Sequence, residues 1–356
     1  MEKISKIIKE IKGIDRAREE KAQQRLDLLT KPKGSLGRLE ELAKKVVGIT
    51  GVEKPKINQK AIIVMAGDHG VVEERVSAFP QEVTSQMVLN FINGGAGINV
   101  LARHVGARVV VVDMGVKTEP RIQNEKRQNF KNKKISYGTK NIAKGPAMTR
   151  NQAIDAIYAG IEVMEAEIRR GLDIVGTGEM GIGNTTVSST IVAAITGKPV
   201  PMVTGWGTGI DEKTFQNKIK IIEKALAINK PNPSDPIDVL AKVGGFEIGG
   251  LVGVILAGAK ARIPVVIDGF ISSAAALVAF TLEPKIRDYL IASHLSVEAG
   301  HRILLEKIGL TPLFDFGMRL GEGTGAALGI SIVEAAVKIL TEMTSFEEAG
   351  VSRKVN

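Results

Sequence analysis

Apolar residues at both ends of the chain recur at helical spacing. The isoleucines between positions 4 and 11, and the apolar residues between 39 and 49, lie three or four positions apart. Residues at this spacing share one face of an α-helix, so the first 50 residues are predicted to be helical. The stretch 325–343 has the same pattern and predicts another helix near the end of the chain.

Four short β-branched runs end in Asp or Gly and predict buried strands. They lie at 61–70, 108–116, 172–184 and 264–277. The segments between them have helical periodicity, so strand and helix alternate. This alternation predicts an α/β fold with a Rossmann-like, mostly parallel sheet flanked by helices. In such sheets ligands bind outside the carboxyl ends of the strands, where these Asp and Gly residues lie.

The two ends of the chain are predicted to form a domain of their own. Residues 1–55 and 325–356 would build a small helical domain, and residues 56–324 a large α/β domain. No fixed-period repeat is apparent, although GWGTG at 205–209 and GEGTG at 321–325 resemble each other.

The composition excludes several kinds of site and the N-terminal sequence does not favour secretion. The 356 residues include no cysteine, which excludes disulfide frameworks, thiolate zinc sites and cysteine nucleophiles, and a cytoplasmic location is expected. The first 13 residues alternate lysine with isoleucine and do not resemble a signal peptide. The most apolar region, 249–280, is interrupted by charged residues and a proline, so no membrane span is predicted.

Much of the net charge of +9 lies between Lys117 and Lys144. The basic residues within this segment are Arg121, Lys126, Arg127, Lys131, Lys133, Lys134 and Lys140. Few aromatic residues accompany them, and nucleic-acid sites usually add a recognisable fold or a stacking surface. A solvated surface is the preferred interpretation and no nucleic-acid partner is expected. The alternative, a nucleic-acid binder, requires binding that falls steeply with salt.

Three glycine-rich segments carry the candidate chemistry. Residues 176–184 follow a predicted strand and precede a helix, so their backbone N–H groups suit a phosphate, although such turns also occur without ligands. The turn at 205–209 is followed by Lys213 and Lys218, which suit a phosphate, although a solvent-facing helix is the preferred interpretation of both lysines. Glu322 lies between two glycines before an apolar helix. It is either a general base or an acid favoured at a helix N-terminus.

A metal centre is a competing hypothesis. It would draw on GDHG at 67–70, Asp113, Asp268 and SHLSVEAGH at 293–301. The four histidines include no HxxxH or HxH pair, and strand-end aspartates commonly accept backbone N–H bonds. No metal is expected. A serine hydrolase is also disfavoured because no GxSxG motif is present.

Eight motifs, in order along the chain, resemble one family, the nicotinate-nucleotide–dimethylbenzimidazole phosphoribosyltransferases of cobalamin biosynthesis. They are KPKGSLGRLE (31–40), GDHGVVEERVSAFPQEVTSQMV (67–88), GGAGINVLAR (94–103), GTGEMGIGNTT (176–186), TGWGTGIDE (204–212), DGFISSAAAL (268–277), SHLSVEAGH (293–301) and MRLGEGTGAAL (318–328). The resemblance implies a homodimer without a cofactor. It also implies transfer of ribose 5-phosphate from nicotinate mononucleotide to 5,6-dimethylbenzimidazole, releasing nicotinate and forming α-ribazole 5′-phosphate.

The resemblance also implies roles for individual residues. Glu322 would be the general base, and Glu179 would contact the nucleotide. The phosphoribosyl part would be held by Gly176, Gly178, Gly181, Ile182, Gly183, Lys218 and Ser296. The acceptor pocket would include Ser77, Phe79, Gln86 and Met87. Phe79 stands where many members have Tyr, which removes a hydroxyl and leaves the acceptor preference open.

Two further alternatives remain beside this assignment. One keeps the reaction but changes the acceptor to another lower-ligand base, such as adenine or a phenol, and competition between acceptors would separate the two. The other is a non-catalytic nucleotide-binding sensor that retains the glycine loops. Release of nicotinate would argue against the sensor.

Overall fold

A parallel sheet of six strands forms the centre of the fold in the computed structural model, which describes residues 2–120, 122 and 129–352. The strands are β1 (Lys60–Gly67), β2 (Ala107–Gly115), β3 (Phe130–Asn132), β4 (Ile174–Met180), β5 (Val265–Ile267) and β6 (Leu290–Ala292).

Helices connect and cover the strands. They are α1 (Glu2–Glu10), α2 (Arg16–Leu28), α3 (Arg38–Thr50), α4 (Val83–Asn93), α5 (Gly97–Val105), α6 (Arg150–Arg169), α7 (Asn184–Thr196), α8 (Val200–Val203), α9 (Glu212–Asn229), α10 (Pro236–Val243), α11 (Phe246–Lys260), α12 (Phe270–Leu282), α13 (Ala299–Ile308) and α14 (Thr324–Glu342). Short 3-10 helices span Gly70–Glu74 and Pro284–Tyr289.

The strand order confirms the predicted α/β, Rossmann-like class. The sheet runs β3-β2-β1-β4-β5-β6, and every neighbouring pair is parallel. The chain winds outward from β1 in one direction and then continues from β4 in the other. Connections therefore diverge between the carboxyl ends of β1 and β4, which opens the crevice where such sheets bind ligands.

Both faces of the sheet are apolar because alternate residues of each strand enter different cores. In β1, residues 61, 63 and 65 pack with one cluster, and residues 62, 64 and 66 pack with the other. Successive strand side chains point to opposite faces, so a strand apolar throughout must be covered on both sides. Helices α6, α11 and α12 contribute to the first core, and α3, α5 and α14 to the second.

Local sequence fixes several helix ends. Thr149 and Gln152 form a capping box at the start of α6: Thr149 Oγ1 accepts the Gln152 N–H at 3.2 Å, and Gln152 Oε1 accepts the Thr149 N–H at 3.0 Å. This pair satisfies two backbone donors that the helix cannot satisfy itself. Helix α5 ends at Gly106, whose φ of +66° is a left-handed conformation that glycine adopts readily.

The chain ends pack together, but they also continue the cores of the sheet. Helices α2, α3 and α14 contact one another, and Arg25 Nε on α2 donates to the Leu340 carbonyl at 2.7 Å. Their core also contains Ile62 of β1. Helix α1 lies with the opposite core, through Ile4 and Ile7. The division into domains 1–55 with 325–356 and 56–324 stays a prediction.

Among the described helices, α14 is long and apolar enough to cross a membrane by length and composition alone. However, 56% of its apolar window is buried inside the protein, and it contacts β4, β5, β1 and β6. A core helix of a folded domain has these properties. The apolar region 249–280, considered above, forms parts of α11, β5 and α12 instead.

The basic segment 117–144 is described only in part. Three of its basic residues lie outside the described part of the chain: Arg121, Lys126 and Arg127. Lys133 pairs with Glu162 at 2.7 Å, and Lys134 pairs with Asp113 at 3.1 Å. Because these two lysines already have acidic partners within the protein, the contacts support the interpretation as an ordinary surface.

Candidate active site

A cavity of about 600 Å³ lies at the carboxyl ends of the strands. Its walls come from the segment after β1, the turns after β4, β5 and β6, the 205–209 turn and the loop before α14. Seven of the site residues predicted from the sequence line it: Phe79, Met87, Glu179, Gly181, Ile182, Ser296 and Glu322. The crevice expected from the strand order is therefore present and is lined by three carboxylates, those of Glu179, Glu298 and Glu322.

Glu322 is held in a left-handed backbone conformation. Its φ is +63°, between +80° at Gly321 and +96° at Gly323. Glycine adopts such angles without cost, whereas a glutamate is strained there. Asp268, after β5, stabilises the loop because its Oδ2 accepts the Gly323 N–H at 3.0 Å and its Oδ1 accepts the Gly325 N–H at 2.7 Å. The surrounding contacts therefore maintain the strained conformation.

Glycines in β4 leave room for this loop. A β-carbon on Gly178 would lie 2.7 Å from the carbonyl carbon of Glu322 and 2.9 Å from the Gly323 nitrogen. A β-carbon on Gly176 would lie 3.0 Å from Cβ of Ala326 in α14. Both glycines thus permit close packing between the strand and the segment that carries Glu322.

The Glu322 carboxylate is buried at the start of α5. Only 5% of the residue is exposed, and Oε2 accepts the Ile98 N–H at 3.0 Å. Burial raises the pKa of Glu322 above its ordinary value, while the backbone hydrogen bond from Ile98 acts in the opposite direction. A helix N-terminus also favours negative charge. Glu322 therefore has a less acidic carboxyl than usual, together with groups that stabilise its ionised form.

Glu179, at the end of β4, is the second carboxylate in the cavity. Burial, together with the nearby Asp268, Glu247 and Glu322 carboxylates, raises the pKa of Glu179 to about 8 against the effect of a hydrogen bond from Asn184. The Asn184 amide donates to Oε2 of Glu179. At neutral pH Glu179 is therefore mainly protonated and can donate a hydrogen bond, which Glu322 in its ionised form cannot do.

Lys218 lies behind the cavity wall, fully buried on α9. Its Nζ donates to the Gly205 carbonyl and to Thr185 Oγ1, both at 3.0 Å. Burial lowers the pKa of Lys218 to about 8, and the Glu298 carboxylate opposes this shift. Thr185 and Gly207, which line the cavity, separate Lys218 from its interior. The interpretation of this lysine as part of a solvent-facing helix is wrong, whereas Lys213 is exposed.

Strand-end acids and buried histidines have protein partners. Asp113 Oδ1 accepts the Val116 N–H, and Asp68 Oδ2 accepts the Lys117 N–H, both at 2.8 Å. His69 Nε2 lies 2.7 Å from Glu247 Oε1. Within the described ranges, no group of three or more His, Asp or Glu side chains is arranged to hold a metal ion.

Comparison with known proteins connects this geometry to a family. Residues 11–351 match the family described as "Phosphoribosyltransferase". A protein from Desulforudis audaxviator, named nicotinate-nucleotide–dimethylbenzimidazole phosphoribosyltransferase, is 57% identical over 356 residues, which is 100% of both chains. One of the same name from Geobacter sulfurreducens is 57% identical over 331 residues, 93% of each chain. The chain belongs to the nicotinate-nucleotide–dimethylbenzimidazole phosphoribosyltransferase family.

A solved structure supports this assignment. The crystal structure of the phosphoribosyltransferase of that name from Thermus thermophilus has a TM-score of 0.90 and 43% identity, and the match covers 96% of this chain and 100% of that one. The family suggested by the eight motifs is confirmed, and so is the α/β fold.

The remaining site residues predicted from the family resemblance differ in whether they reach the surface of the cavity. Gly176 and Gly178 belong to strand β4 and not to the loop after it, because β4 continues to Met180. The loop is Gly181–Gly183, and Gly183 caps α7 with a φ of +92°. Gly181 and Ile182 line the cavity, but the Ile182 N–H is already used by Thr84 Oγ1 at 3.1 Å.

The predicted acceptor residues are only partly brought together. Phe79 and Met87 line the cavity, and half of Phe79 is exposed. Ser77 does not line the cavity but contacts Thr208, which does, and its Oγ lies 3.4 Å from Thr208 Oγ1. Gln86 is exposed on α4 and does not line the cavity. The substrate contacts of these residues stay predictions.

Several cavity residues were missed by the sequence analysis. Arg319 is the one cation among the described residues that line the cavity. Glu298 also lines it, and its Oε1 accepts the Gly207 N–H at 2.8 Å, which fixes the 205–209 turn. Both residues lie within motifs quoted above, three or fewer positions from Glu322 or Ser296. That proximity in sequence was the available signal.

Proposed function

We propose that this protein transfers the phosphoribosyl group of nicotinate mononucleotide to 5,6-dimethylbenzimidazole, giving nicotinate and α-ribazole 5′-phosphate for the lower ligand of cobalamin. The observation that carries the proposal is the pair Glu322 and Glu179, two buried carboxylates with different surroundings in one cavity. Full-length relatives at 55–57% identity carry the corresponding enzyme name. A volume of about 600 Å³ also lies in the range of small-molecule sites.

The reaction needs one general base. The free ring nitrogen of the benzimidazole attacks C1′ of the ribose, and the bond from C1′ to the pyridinium nitrogen breaks with its electron pair going to that nitrogen. Nicotinate therefore leaves without needing a proton, whereas the attacking base must lose the proton of its other ring nitrogen. Glu322 receives that proton, because its ionised form is stabilised by Ile98 while burial makes it more basic than an ordinary glutamate.

Glu179 and Glu322 would have different roles in the reaction. Glu179, mainly protonated at neutral pH, donates a hydrogen bond to the nucleotide, while Glu322 accepts the proton of the acceptor base. Environments that separate the pKa values of neighbouring acids commonly mark acid and base roles. The cavity would further accelerate the reaction by holding the two rings on opposite sides of C1′, in the orientation that the displacement needs.

Charges around the cavity suit a donor that carries two anionic groups, a phosphate and a ring carboxylate. The phosphate would lie toward Ser296 and the start of α7, with Lys218 behind the wall. A helix N-terminus and a lysine both favour phosphate. Arg319, whose guanidinium lies beside Gly209 of the 205–209 turn, would face the carboxylate of the nicotinate ring.

The proposed acceptor side of the cavity carries apolar side chains. Phe79 and Met87 offer apolar contacts to a fused aromatic ring, and Phe79 supplies no hydroxyl. Dimethylbenzimidazole suits this wall because its methyl groups need no hydrogen-bond partner. Another lower-ligand base, adenine or a phenol, remains the alternative acceptor and requires the same cavity.

We also propose that the protein is a homodimer located in the cytoplasm. Two large apolar side chains in the segment before α14 are exposed: Leu320, which lines the cavity, at 61% and Phe316 at 71%. Contact with a partner subunit would remove these apolar side chains from water, which is energetically favourable. The cytoplasmic location rests on the absence of cysteine. Light scattering of the purified protein tests the dimer.

The deciding experiment measures nicotinate release and α-ribazole 5′-phosphate formation by the native protein, Glu322→Gln and a surface control, Glu162→Gln. We expect product from the native protein and the control, and a kcat lower by ~10²–10⁴-fold in Glu322→Gln, the usual contribution of a general base. Binding of nicotinate mononucleotide without product from any benzimidazole, adenine or phenol would overturn the transferase and favour the sensor.

A further inference from the structure

The motif SHLSVEAGH places a buried histidine behind the cavity that the proposed reaction does not use. His301, on α13, is fully buried, and its two ring nitrogens have different partners. Nδ1 accepts the backbone N–H of Ser296 at 2.9 Å. Nε2 lies 2.9 Å from Oγ of Ser273 on α12. The imidazole therefore joins a helix behind the cavity to a residue that lines it.

These contacts determine the tautomer of His301. A backbone N–H can only donate, so Nδ1 must carry no proton. In the neutral ring the proton is then on Nε2, which donates to Ser273 Oγ. Burial, together with the neighbouring His294, lowers the pKa of His301 to about 3, so the ring is neutral at physiological pH. The Ser296 N–H thereby fixes the tautomer, and the Ser273 hydroxyl accepts the Nε2 proton that results.

The backbone on both sides of Ser296 is fixed as well. The Leu295 N–H donates to the Phe314 carbonyl at 2.9 Å, and the Val297 N–H donates to the Met318 carbonyl at 3.3 Å. The N–H of Ser296, the residue between these two, donates to His301 Nδ1 instead. The segment is therefore held on one side by the chain that leads to Glu322, and on the other by the histidine.

We propose that Ser273 and His301 act as a positioning pair, which holds Ser296 in place to bind the phosphoribosyl part of the nicotinate nucleotide. This inference rests on the proposed function, in which Ser296 contacts the donor. His301 is not among the cavity-lining residues, so it acts through Ser296 and not on the substrate. A neutral acceptor suits this task because it orients the backbone N–H without protonating any nearby group.

Paired substitutions test the proposal. The amide of His301→Asn can occupy the position of Nδ1 and accept from Ser296, whereas the longer His301→Gln places its amide near Nε2. Ser273→Ala removes the outer partner. Ser272→Ala is the matched control, since Ser272 is buried on the same helix and its hydroxyl has no hydrogen-bond partner in the structure.

We expect the KM for nicotinate mononucleotide to rise roughly three- to tenfold in His301→Gln and Ser273→Ala, the effect of one misplaced hydrogen bond. The kcat and the KM for dimethylbenzimidazole should change less than twofold. His301→Asn should recover most of the donor affinity, and Ser272→Ala should match the native protein. Equal losses in kcat and in both KM values would show a structural role only and overturn the proposal.

A double-substitution cycle separates this inference from the proposed function. If His301 acts through Ser296, then His301→Gln should add little to the donor KM of Ser296→Ala. Full additivity, or an unchanged donor KM in Ser296→Ala with turnover intact, would overturn the positioning pair while the transferase stands. Absence of turnover in the native protein would overturn the proposed function instead.

Nitrogen-15 NMR of the native protein gives an independent test if a variant fails to fold. The expected His301 ring signals are those of a neutral imidazole with its proton on Nε2. A ring with its proton on Nδ1, or a charged ring at pH 7, would contradict the hydrogen bonds on which the proposal depends.

Discussion

The main chain of Glu322 lies directly against Gly178, with its carbonyl carbon 2.7 Å from the position that a β-carbon on Gly178 would occupy. Glycine at this position of β4 is therefore a requirement of the loop that carries the proposed base. The strand and the loop are 144 residues apart in sequence (322 minus 178) but form one wall of the cavity.

Gly178→Ala should displace Glu322 and lower kcat by about a hundredfold, because a misplacement near 1 Å costs roughly that much in an oriented reaction. The measurement is the rate of nicotinate release at saturating donor and acceptor. Gly145→Ala is the matched control, since nothing lies within 4 Å of its added β-carbon. A kcat for Gly178→Ala within twofold of the control would show that the packing does not position the base.

The pH dependence of the rate should be bell-shaped. Glu322 must be ionised to accept a proton, so kcat/KM should rise with pH through a value above the ordinary 4.5 of glutamate. It should fall above about pH 8, where Glu179 loses the proton that it donates to the nucleotide. Glu179→Gln keeps a donor at all pH values and should abolish the alkaline fall. An unchanged alkaline limb in this variant would remove Glu179 from that role.

Glu179 should also make stability depend on pH. Its pKa is about 8 in the folded protein and near 4.5 when exposed, so between these values the folded state binds the extra proton. Stability contributed in this way is fully present below about pH 4.5 and is lost as pH rises to about 8. Thermal unfolding of the native protein and Glu179→Gln at pH 5 and pH 9 measures the effect.

The quantity to compare is the Tm of Glu179→Gln minus the Tm of the native protein. This difference should be larger at pH 9 than at pH 5 by at least about 2 °C, the change that ~1 kcal/mol produces in a large domain. Glu162→Gln, at an exposed carboxylate, should show no such trend. A constant difference for Glu179→Gln would mean that its carboxyl ionises normally in the folded protein.

The sequence predicted the parts of the fold that have a local signal. Strands β1, β2, β4 and β5 lie in β-branched runs, whereas β3 and β6 contain at most one β-branched residue each and have too little periodicity to be recognised. The extension of β4 through Gly176 and Gly178 was also missed. Glycine is a poor strand former in general, and only the approach of the Glu322 loop explains it there.

The site was predictable to the extent that its residues share motifs. Glu322 was identified from a glycine-rich segment and Glu179 from the family resemblance, and both line the cavity. The burial of Lys218 and the position of Arg319 depend on how the 205–209 turn packs against distant segments. Such long-range packing leaves no pattern in the local sequence, so these features required the structure.

Arg319 should select the donor by its carboxylate. It is the one cation among the described residues lining the cavity, and no described side chain lies in ion-pair contact with it. Nicotinate mononucleotide and nicotinamide mononucleotide share ribose and phosphate and differ only in the ring substituent, which is an anionic carboxylate in the first and a neutral amide in the second. Because a hydrogen bond to a charged group contributes more than a neutral one, Arg319→Gln should lower kcat/KM for the nicotinate donor by roughly tenfold. With the nicotinamide donor the change should be less than about twofold.

The control for this comparison is Arg302→Gln, since Arg302 lies in a neighbouring cleft and does not line the main cavity. It should leave the ratio of the two kcat/KM values unchanged. An equal loss with both donors in Arg319→Gln would assign Arg319 to the shared phosphate and not to the ring carboxylate. Because phosphate and carboxylate lie at opposite ends of the donor, that outcome would also reverse the orientation proposed for the nucleotide between Ser296 and Arg319.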